Sequence, residues 1–516
     1  YLSFGGSKMT NIEVNFANCA RNMFLPHKND SGTFYISDST LAHANEFGNV
    51  IKISDTELSQ KIVKHFIHNN QDVHELNKFS YHESARLVIS GKQKRIMIIL
   101  GMLLACIGVF QIDLLVYSIY LLVSAVLFAD IIFKSVIFIK SLNAPQESPH
   151  IFAINDENCP VYTIMIPIYK ESNMLKHINQ SLDNLEYPKD KLDILILLEE
   201  NDKKTIEAAE KYLSIPHRKI IMPEVGPKTK PKAMLIALEF ARGEYLTIYD
   251  AEDIPDSDQL YKAIMKFSQD ETGILACVQA RLNMTNYKDS WISMFFSLEY
   301  NIWFNHYLKG LYLYNLPLPL GGTSNHFKMD ILRKVSGWDP YNVTEDADLG
   351  IRLYKNGYIT SVIDSETKET APTRLDSWLG QRSRWIKGYY QTFLVHNRNI
   401  KYSITHFGLK NFIGFNFFIS IQVLAFTSLF PMFLLTLAYY GFGLNFASPY
   451  LAYANVATNF IIQLFFAFYT YFTKGYKARW QMCFFYPLYF ICHSFASYKA
   501  LKELVTKPFY WFKTPH

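Results

Sequence analysis

Residues 245–253 read YLTIYDAED, an apolar, strand-like run followed at once by Asp250, Glu252 and Asp253. Similar short apolar runs lie on both sides of it and alternate with amphipathic, charged segments. They are YTIMIPI (162–168), LDILILL (192–198), KIIMP (219–223) and ILACVQA (274–280). Strands that alternate with helices predict a mostly parallel sheet covered on both faces, with ligands at the carboxyl ends of its strands.

The composition narrows the class of protein. The 516 residues include 51 Lys and Arg against 46 Asp and Glu, a balance that argues against nucleic-acid binding through a basic excess. A hydrophobic fraction of 49% and a charged fraction of 19% exclude intrinsic disorder. The six cysteines show no paired spacing, so they indicate neither a disulfide framework nor a zinc cluster, and they favour a reducing compartment.

The mean hydropathy of +0.01 averages a polar middle with strongly apolar flanks. Four apolar stretches are near the length of about 20 residues that crosses a bilayer as a helix. Basic residues lie at the outer ends of each pair, while the connecting turns carry none, so the positive-inside rule predicts two hairpins with cytoplasmic ends. The stretches are 96–110 and 114–133, joined by a turn, and 415–440 and 450–472, joined by the loop 441–448.

A fifth apolar stretch, 482–500, contains Pro487, His493 and Lys499. If it crossed the membrane, the lysines of the tail after it would lie outside, against the charge rule. An interfacial or re-entrant segment is therefore an alternative to a crossing helix.

The carboxylates that follow the run at 245–249 suit a hard divalent cation, Mg²⁺ or Mn²⁺, which would neutralise the diphosphate of a nucleotide. The alternative is a solvated acidic turn, or a helix cap in the segment 256–258.

A second acidic group, TEDADLG (344–350), opens a predicted helix. Thr344 would cap this helix, and the carboxylates would favour its positive end. The functional interpretation is that one carboxylate acts as general base toward an acceptor hydroxyl. The Gly-rich loop GGTSNHF (321–327) precedes the group, and there the backbone can approach a ligand closely.

A third group, QRSRWIKG (381–388), lies on an amphipathic segment before the third apolar stretch. Arginine offers a planar fork for phosphate oxygens, and tryptophan offers a flat face for a sugar ring. The alternative is ordinary anchoring of basic and aromatic residues at a membrane surface.

The order of these motifs resembles glycosyltransferase family 2, and within it the membrane-embedded, cellulose-synthase-like branch. The matching segments cover about 162–388, with apolar stretches on both sides as in that branch. They are IPIYKES (166–172), LLEENDKKT (197–205), KPKA (230–233), YDAED (249–253), GGTSNHF (321–327), GWD (337–339), TEDADLG (344–350) and QRSRW (381–385).

The resemblance implies an α/β GT-A domain, a fold that binds nucleotide-diphospho-sugars, inserted between transmembrane α-helices. The expected organisation is a sequence of six regions. They are an N-terminal cytoplasmic region of unknown role (1–90), a transmembrane hairpin (91–140), the GT-A domain (151–373), an amphipathic interfacial segment with QRSRW (374–410), C-terminal transmembrane or interfacial helices (411–500) and a basic tail (501–516).

The resemblance also implies a donor site. Pro167, Tyr169 and Glu171 would border the nucleoside pocket. The carboxylate that contacts the base would be Glu199 or Glu200, where Asp is more usual in the family.

Two further donor-site assignments follow from the resemblance. Lys232 matches a lysine near the diphosphate. Asp250 would be the first metal ligand, joined by Glu252 or Asp253, where the family normally has Asp-x-Asp.

On the acceptor side, Asp346 matches the catalytic base, and Glu345 would hold its geometry. Arg384 would stabilise the leaving diphosphate, while Gln381 and Trp385 would line the acceptor. Gly322 and Thr323 of the Gly-rich loop are assigned to the same acceptor and diphosphate region.

The expected activity is inverting transfer from a UDP-sugar, UDP-glucose or UDP-N-acetylglucosamine, to a growing β-linked polysaccharide, possibly with export. The alternative acceptor is a membrane lipid such as diacylglycerol. A third interpretation is a receptor or scaffold with an inactive transferase domain, against which the intact Asp250, Asp346 and QRSRW segment argue. The expected location is the inner (plasma) membrane, multi-pass, with a cytoplasmic catalytic domain and possible membrane or export partner subunits; no nucleic-acid partner is expected.

Overall fold

The computed structural model of the protein describes seven parts of the chain. They are residues 15–27, 33–40, 49–67, 79–144, 158–442, 449–477 and 480–513. Most of the loop predicted at 441–448, and the first residues of the region predicted to start at 151, lie outside these parts.

A small three-stranded sheet and two helices form the described region before residue 68. β1 pairs antiparallel with β2, and β2 pairs parallel with β3. The elements are α1 (Phe16–Asn22), β1 (Phe24–Pro26), β2 (Thr33–Ile36), β3 (Asn49–Lys52) and α2 (Asp55–Phe66).

Two long apolar helices follow, α3 (Gly91–Phe110) and α4 (Ile112–Leu142). Ser90 starts α3 with a capping box, in which its hydroxyl accepts from the backbone of Gln93. The apolar side chains of α3 are exposed, whereas α4 buries one face against the rest of the protein. Outward-facing apolar helices of this length suit a bilayer.

The middle of the chain folds into one eight-stranded sheet with helices around it. All five predicted strands form, as β4, β5, β6, β7 and β9. The elements are β4 (Tyr162–Ile168), α5 (Leu175–Asp183), β5 (Leu192–Glu199), α6 (Lys203–Tyr212), β6 (Arg218–Met222), α7 (Lys230–Leu238), β7 (Tyr245–Ile248), β8 (Ile254–Pro255), α8 (Gln259–Ser268), β9 (Leu275–Met284), α9 (Trp291–Ile302), α10 (Leu308–Leu313), β10 (Asn325–Lys328), α11 (Met329–Lys334), α12 (Glu345–Lys355) and β11 (Ile359–Glu369).

The strand order is β6-β5-β4-β7-β10-β9-β11-β8. The first four strands are mutually parallel, and β11 pairs parallel with β9. β10 is antiparallel to both of its neighbours, and β8 is antiparallel to β11, so the sheet is more mixed than the sequence predicts. The parallel half brings the carboxyl ends of β4, β5 and β7 to one edge, which is where a ligand binds on such sheets.

Six helices complete the described chain. A π-helical turn at 416–420 joins α15 to α16, and a crossing candidate of 30 residues, 409–438, runs through it. The helices are α13 (Leu375–His396), α14 (Ile400–Phe407), α15 (Leu409–Phe415), α16 (Ile421–Phe442), α17 (Pro449–Thr473) and α18 (Tyr486–Thr506).

Among the described residues, three helical segments are long and apolar enough to cross a membrane: α3, α4 and residues 409–438. α17 forms over the fourth predicted stretch but is not one of these three. α18 covers most of the fifth stretch and packs against α13 and α16 through polar contacts. The indole of Trp378 donates to the hydroxyl of Tyr489 (2.8 Å), and the hydroxyls of Tyr390 and Ser497 lie 2.9 Å apart.

A buried ion pair joins the edge of the sheet to the N-terminal region. Arg218 on β6 donates to Asp193 on β5 (2.6 Å), and both side chains are more than nine-tenths buried. The other oxygen of Asp193 accepts from Thr163 (2.9 Å) and from the backbone of Arg242 (2.9 Å). The Arg242 side chain in turn donates to the backbone oxygen of Ser39. One carboxylate therefore holds three segments of the chain together.

We expect Asp193→Asn to destabilise the protein by about 3–5 kcal/mol, because it leaves the buried Arg218 guanidinium without a counter-charge. Thermal and denaturant unfolding of the purified protein would measure this. Asp258→Asn is the matched control: its partner Lys262 lies 2.9 Å away but both side chains are largely exposed, so the loss should stay below about 1 kcal/mol. Equal losses in the two variants would contradict the role of the pair.

Candidate active site

A cavity of about 340 Å³ opens at the carboxyl ends of β4, β5 and β7. The sheet supplies one wall, and α9, α12 and α13 supply the others. The cavity also reaches α16, α18 and the end of the described chain. It is large enough for a small ligand and lies at the sheet edge that the sequence predicts.

Lys230, at the start of α7, crosses this cavity. Its ammonium lies 2.5 Å from Oδ1 of Asp250 and donates to the backbone oxygen of Gly322 (2.9 Å). Burial alone would lower the pKa of Lys230, but Asp250 and Glu345 together raise it, so the lysine stays charged. The sequence predicted Lys232 near the diphosphate and did not predict Lys230, which lies two residues earlier in the same KPKA segment.

The three predicted metal ligands do not all face the cavity. Asp250 and Glu252 line the cavity. Asp253 turns away and accepts from the backbone of Asp250 (2.7 Å) and from the hydroxyl of Thr323. Asp253 therefore shapes the turn, because its oxygen ties the turn to the Gly-rich loop.

The carboxylates around Asp250 repel one another. Burial and Asp250 raise the pKa of Asp253 to about 8, and burial together with Asp250 raises that of Glu252. Glu369, at the end of β11, also lines the cavity, and its Oε1 has no hydrogen-bond partner among the described residues. Burial and the neighbouring carboxylates raise its pKa as well. A divalent cation would relieve this crowding, since oxygen ligands of this type suit a hard ion.

Within the described parts of the chain, no group of three or more His, Cys, Asp or Glu side chains is arranged to hold an ion by itself. If Asp250 and Glu252 hold an ion, as the sequence predicts, they would supply two ligands, and phosphate oxygens or water would complete the coordination, as is usual for Mg²⁺.

Glu345 and Asp346 begin α12 and line the same cavity. The backbone of Ala347 donates to Asp346 (2.8 Å). Burial, followed by the charge of Asp346, raises the pKa of Glu345 to about 8, and burial raises that of Asp346. Each of the two carboxyl groups therefore gives up its proton less readily than an exposed one. The predicted side-chain cap by Thr344 does not form, although Thr344 occupies the N-cap position.

The side chains of Gln381, Arg384 and Trp385 on α13 all line the cavity, as the sequence predicts. Trp385 lies beside two stacked rings of α9, with ring centres 5.9 Å from Tyr300 and 6.0 Å from Phe296. This wall presents flat apolar surface beside the two carboxylates of α12, which suits a sugar ring.

Arg382 packs against the ring of Trp385. Its guanidinium lies 4.6 Å from the Trp385 ring and donates to Glu299 of α9 (2.6 Å). The sequence did not reveal this role, because the partner Glu299 lies 83 residues earlier in the chain.

Pro167, Tyr169, Glu171 and Glu199 line the part of the cavity next to β4 and β5. Two other predicted donor-site residues do not line the cavity. Glu200 faces α2, where Lys64 lies 2.6 Å away, and the fully buried Lys232 donates to Glu199 (3.3 Å) and to the backbone oxygen of Pro223 (3.2 Å). Glu199 is the last residue of β5, whereas Glu200 follows the strand in a turn and pairs with Lys64, so only Glu199 of the two lines the cavity.

The predicted basic tail also contributes side chains to the cavity. Trp511, Phe512 and Lys513 fold back and line the cavity. Arg384 stacks on the Trp511 ring (4.2 Å), and Lys513 lies 3.1 Å from Glu171. The sequence did not predict this placement, because the segment is short and has no hydrophobic periodicity.

A mixed α/β sheet with acidic motifs at its strand ends and a cavity bounded by helices is the arrangement that the sequence analysis expects of a glycosyltransferase with a GT-A fold. Residues 245–468 match the model of the family described as Glycosyl transferase family group 2. The chain thus contains a glycosyltransferase family 2 domain, and the matched range runs from β7 into α17.

Relatives support the same class. The chain is 25% identical over 275 residues to the "Probable glycosyltransferase YdaM" of Bacillus subtilis, covering 51% of this chain and 64% of the relative. It is 25% identical over 242 residues to the "Beta-monoglucosyldiacylglycerol synthase" of Trichormus variabilis (46% and 50%). It is 25% identical over 290 residues to the "Probable glucomannan 4-beta-mannosyltransferase 3" of Arabidopsis thaliana (52% and 52%). The chain therefore spans between half and two thirds of the length of these relatives.

A solved structure is also similar: the mannosyltransferase PcManGT from Pyrobaculum calidifontis, in complex with GDP-Man and Mn²⁺. The alignment covers 76% of this chain and 99% of that one, at 17% identity and a TM-score of 0.48.

Gly388 of α13 packs so closely on α12 that a Cβ there would lie 2.1 Å from Oγ1 of Thr344, next to Glu345. We expect Gly388→Ala to lower kcat about 100-fold, because it shifts the carboxylates of α12 by a fraction of an ångström or more. Steady-state transfer kinetics would measure this. Gly101→Ala on α3, where a Cβ meets no atom within 4 Å, should leave kcat unchanged. A normal kcat in Gly388→Ala would contradict the proposed positioning.

We expect substitutions of Glu345 and of Asp346 to change the transfer rate by different amounts. Asp346→Asn should lower kcat by about 10²–10⁴-fold, because it removes the base. Glu345→Gln mimics the protonated form that its raised pKa favours near neutral pH, so it should keep most of the activity. The rate should fall on acidification at a pH above the ordinary pKa of aspartate, since burial raises the pKa of Asp346. Equal losses in both variants, measured across pH 5–9, would contradict the assignment of Asp346 as the base.

Proposed function

We propose that this protein is an inverting membrane glycosyltransferase that transfers a sugar from a UDP-sugar, UDP-glucose or UDP-N-acetylglucosamine, to the end of a β-linked polysaccharide. The observation that carries the proposal is the aromatic wall of Trp385 and Tyr300 beside Asp346 in a single cavity. A flat apolar face next to a general base is what a sugar acceptor requires.

In this proposal Asp346 takes the proton of the acceptor hydroxyl as that oxygen attacks the anomeric carbon. The bond from the anomeric carbon to the diphosphate breaks on the opposite face, so the configuration inverts. Lys230 and Arg384 face the cavity and stabilise the negative charge that develops on the leaving diphosphate. A divalent ion, Mg²⁺ or Mn²⁺, held by Asp250 and Glu252, would add positive charge at the same place.

The membrane helices support the proposed location in the inner (plasma) membrane, with the catalytic domain in the cytoplasm. Export of the polysaccharide, with or without partner subunits, belongs to the same proposal.

Glycosylation of a membrane lipid such as diacylglycerol is the second candidate. It is favoured by the reach of the cavity, which Gln422 and Phe426 of α16 line within the segment long enough to cross a membrane. The relative named as a monoglucosyldiacylglycerol synthase agrees with this candidate.

Membranes containing the protein, incubated with radiolabelled UDP-sugars and Mg²⁺ or Mn²⁺, should produce label in an insoluble polymer that a β-glycosidase digests. Label that partitions into organic solvent would instead support the lipid product. Membranes with Asp346→Asn serve as the control. If no nucleotide sugar yields either product, the proposed function is wrong.

A further inference from the structure

The second half of α13 lies against the segment 342–348, which leads into α12 and forms its first turn. This segment contains the proposed base Asp346, whereas the first half of α13 carries Trp385 of the aromatic wall. Three side chains of the second half make polar contacts to the segment, and all three are fully buried. They are Gln391, Thr392 and His396, which we call the polar seam.

His396 joins the end of α13 to Asp348 in the first turn of α12. Its Nε2 lies 3.1 Å from Oδ1 of Asp348, and neither side chain is exposed to solvent. Burial lowers the pKa of His396, so the ring is neutral at neutral pH and its Nε2–H donates to the carboxylate. The other ring nitrogen, Nδ1, has no hydrogen-bond partner among the described residues and carries no proton in this tautomer.

The other oxygen of Asp348 accepts from the guanidinium of Arg352 (2.8 Å). The same guanidinium donates to the backbone oxygens of Val335 (2.9 Å) and Gly337 (2.6 Å), and it is itself buried. Burial alone would raise the pKa of Asp348, but Arg352 and the hydrogen bond from His396 lower it, so the carboxylate stays charged. With both oxygens occupied, this carboxylate fixes α12 two residues beyond the proposed base.

Gln391 and Thr392 hold the chain just before α12. The side-chain oxygen of Gln391 accepts from the backbone of Val343 (3.0 Å). The hydroxyl of Thr392 accepts from the side-chain amide of Asn342 (3.0 Å), whose oxygen accepts from the backbone of Thr344 (3.0 Å). The polar seam therefore holds the chain on both sides of the proposed base.

This arrangement sets the distance between the proposed base and the aromatic wall. In the proposed reaction, the acceptor hydroxyl must lie within hydrogen-bond reach of Asp346 while the acceptor sugar lies on Trp385. These two residues belong to different helices, so their separation depends on how α12 is held against α13. A displacement of about 1 Å in such a site can lower the rate by about 100-fold.

We propose that Gln391, Thr392 and His396 are positioning residues that hold Asp346 at the distance from Trp385 that transfer requires. None of the three lines the active-site cavity, so they affect the reaction through α12 and not through contact with either substrate. The inference rests on the proposed function, because it concerns how the proposed base is held.

Thr392→Val and His396→Leu, in the whole chain in membranes, test the polar seam. Each should lower kcat about tenfold and leave the KM for the nucleotide sugar within about twofold, because the donor site stays intact. His396→Gln keeps an N–H donor near the position of Nε2 and should restore kcat to within about threefold of the unmodified protein. An unchanged kcat in both Thr392→Val and His396→Leu would overturn the proposal, and so would equal losses in His396→Leu and His396→Gln.

Phe407→Leu is the control for packing. The Phe407 ring of α14 is buried and lies 5.9 Å from the His396 ring, so the substitution loosens the packing on the histidine without removing its hydrogen bond. It should lower the thermal midpoint but leave kcat, counted per molecule that binds UDP, unchanged. A loss of kcat as large as that in His396→Leu would overturn the proposal, because packing alone would then explain both.

Amide hydrogen exchange tests the polar seam without a transfer assay. Thr392→Val and His396→Leu should speed exchange in peptides that cover 343–350, while peptides from β4 exchange as in the unmodified protein. Unchanged exchange in 343–350 in both variants would overturn the proposal. If the unmodified protein transfers sugar from no nucleotide sugar, the proposed function is wrong, and the exchange measurement still decides whether the seam holds α12.

Discussion

The ion pair between Lys230 and Asp250 is the contact on which the active site depends. It joins the strand-end motif after β7 to the start of α7, and through the backbone of Gly322 to the Gly-rich loop. Carboxylates from three separate segments, the turn after β7, the start of α12 and the end of β11, line the cavity around this point and repel one another. One buried cation makes their convergence possible, and it also lies where the diphosphate of a nucleotide sugar would need positive charge.

The active site is built from two parts of the protein. The sheet domain supplies the carboxylates, whereas α13 supplies the arginine and the tryptophan, and α13 packs against α18. Gly388 permits the close approach of α13 to α12 that sets Arg384 near Asp346. The sheet domain and the helical region therefore line one cavity together, and the acceptor site that we propose contains residues from both.

The sequence predicted the parts of the structure that depend on local pattern. The apolar runs formed strands β4, β5, β6, β7 and β9, and the motif residues Asp250, Asp346 and Trp385 line one cavity. β11 was not predicted, because it contains no continuous apolar run and its last six residues, 364–369, are all polar. The sequence did not predict three features: Asp253 turns away from the cavity, Lys230 rather than Lys232 lies in it, and Trp511 folds back to line it. These features depend on side-chain direction and long-range packing, which spacing along the chain does not encode.

We propose that Asp250, together with Glu252, binds the diphosphate of the donor through a divalent ion. Calorimetric titration of UDP into the purified full-length protein, with Mn²⁺ present and then with the ion removed by a chelator, measures this. We expect binding that requires Mn²⁺ and that Asp250→Asn weakens by tenfold or more. Equal affinity for UDP with and without the ion, retained in Asp250→Asn, would show that these carboxylates do not bind the donor through a metal.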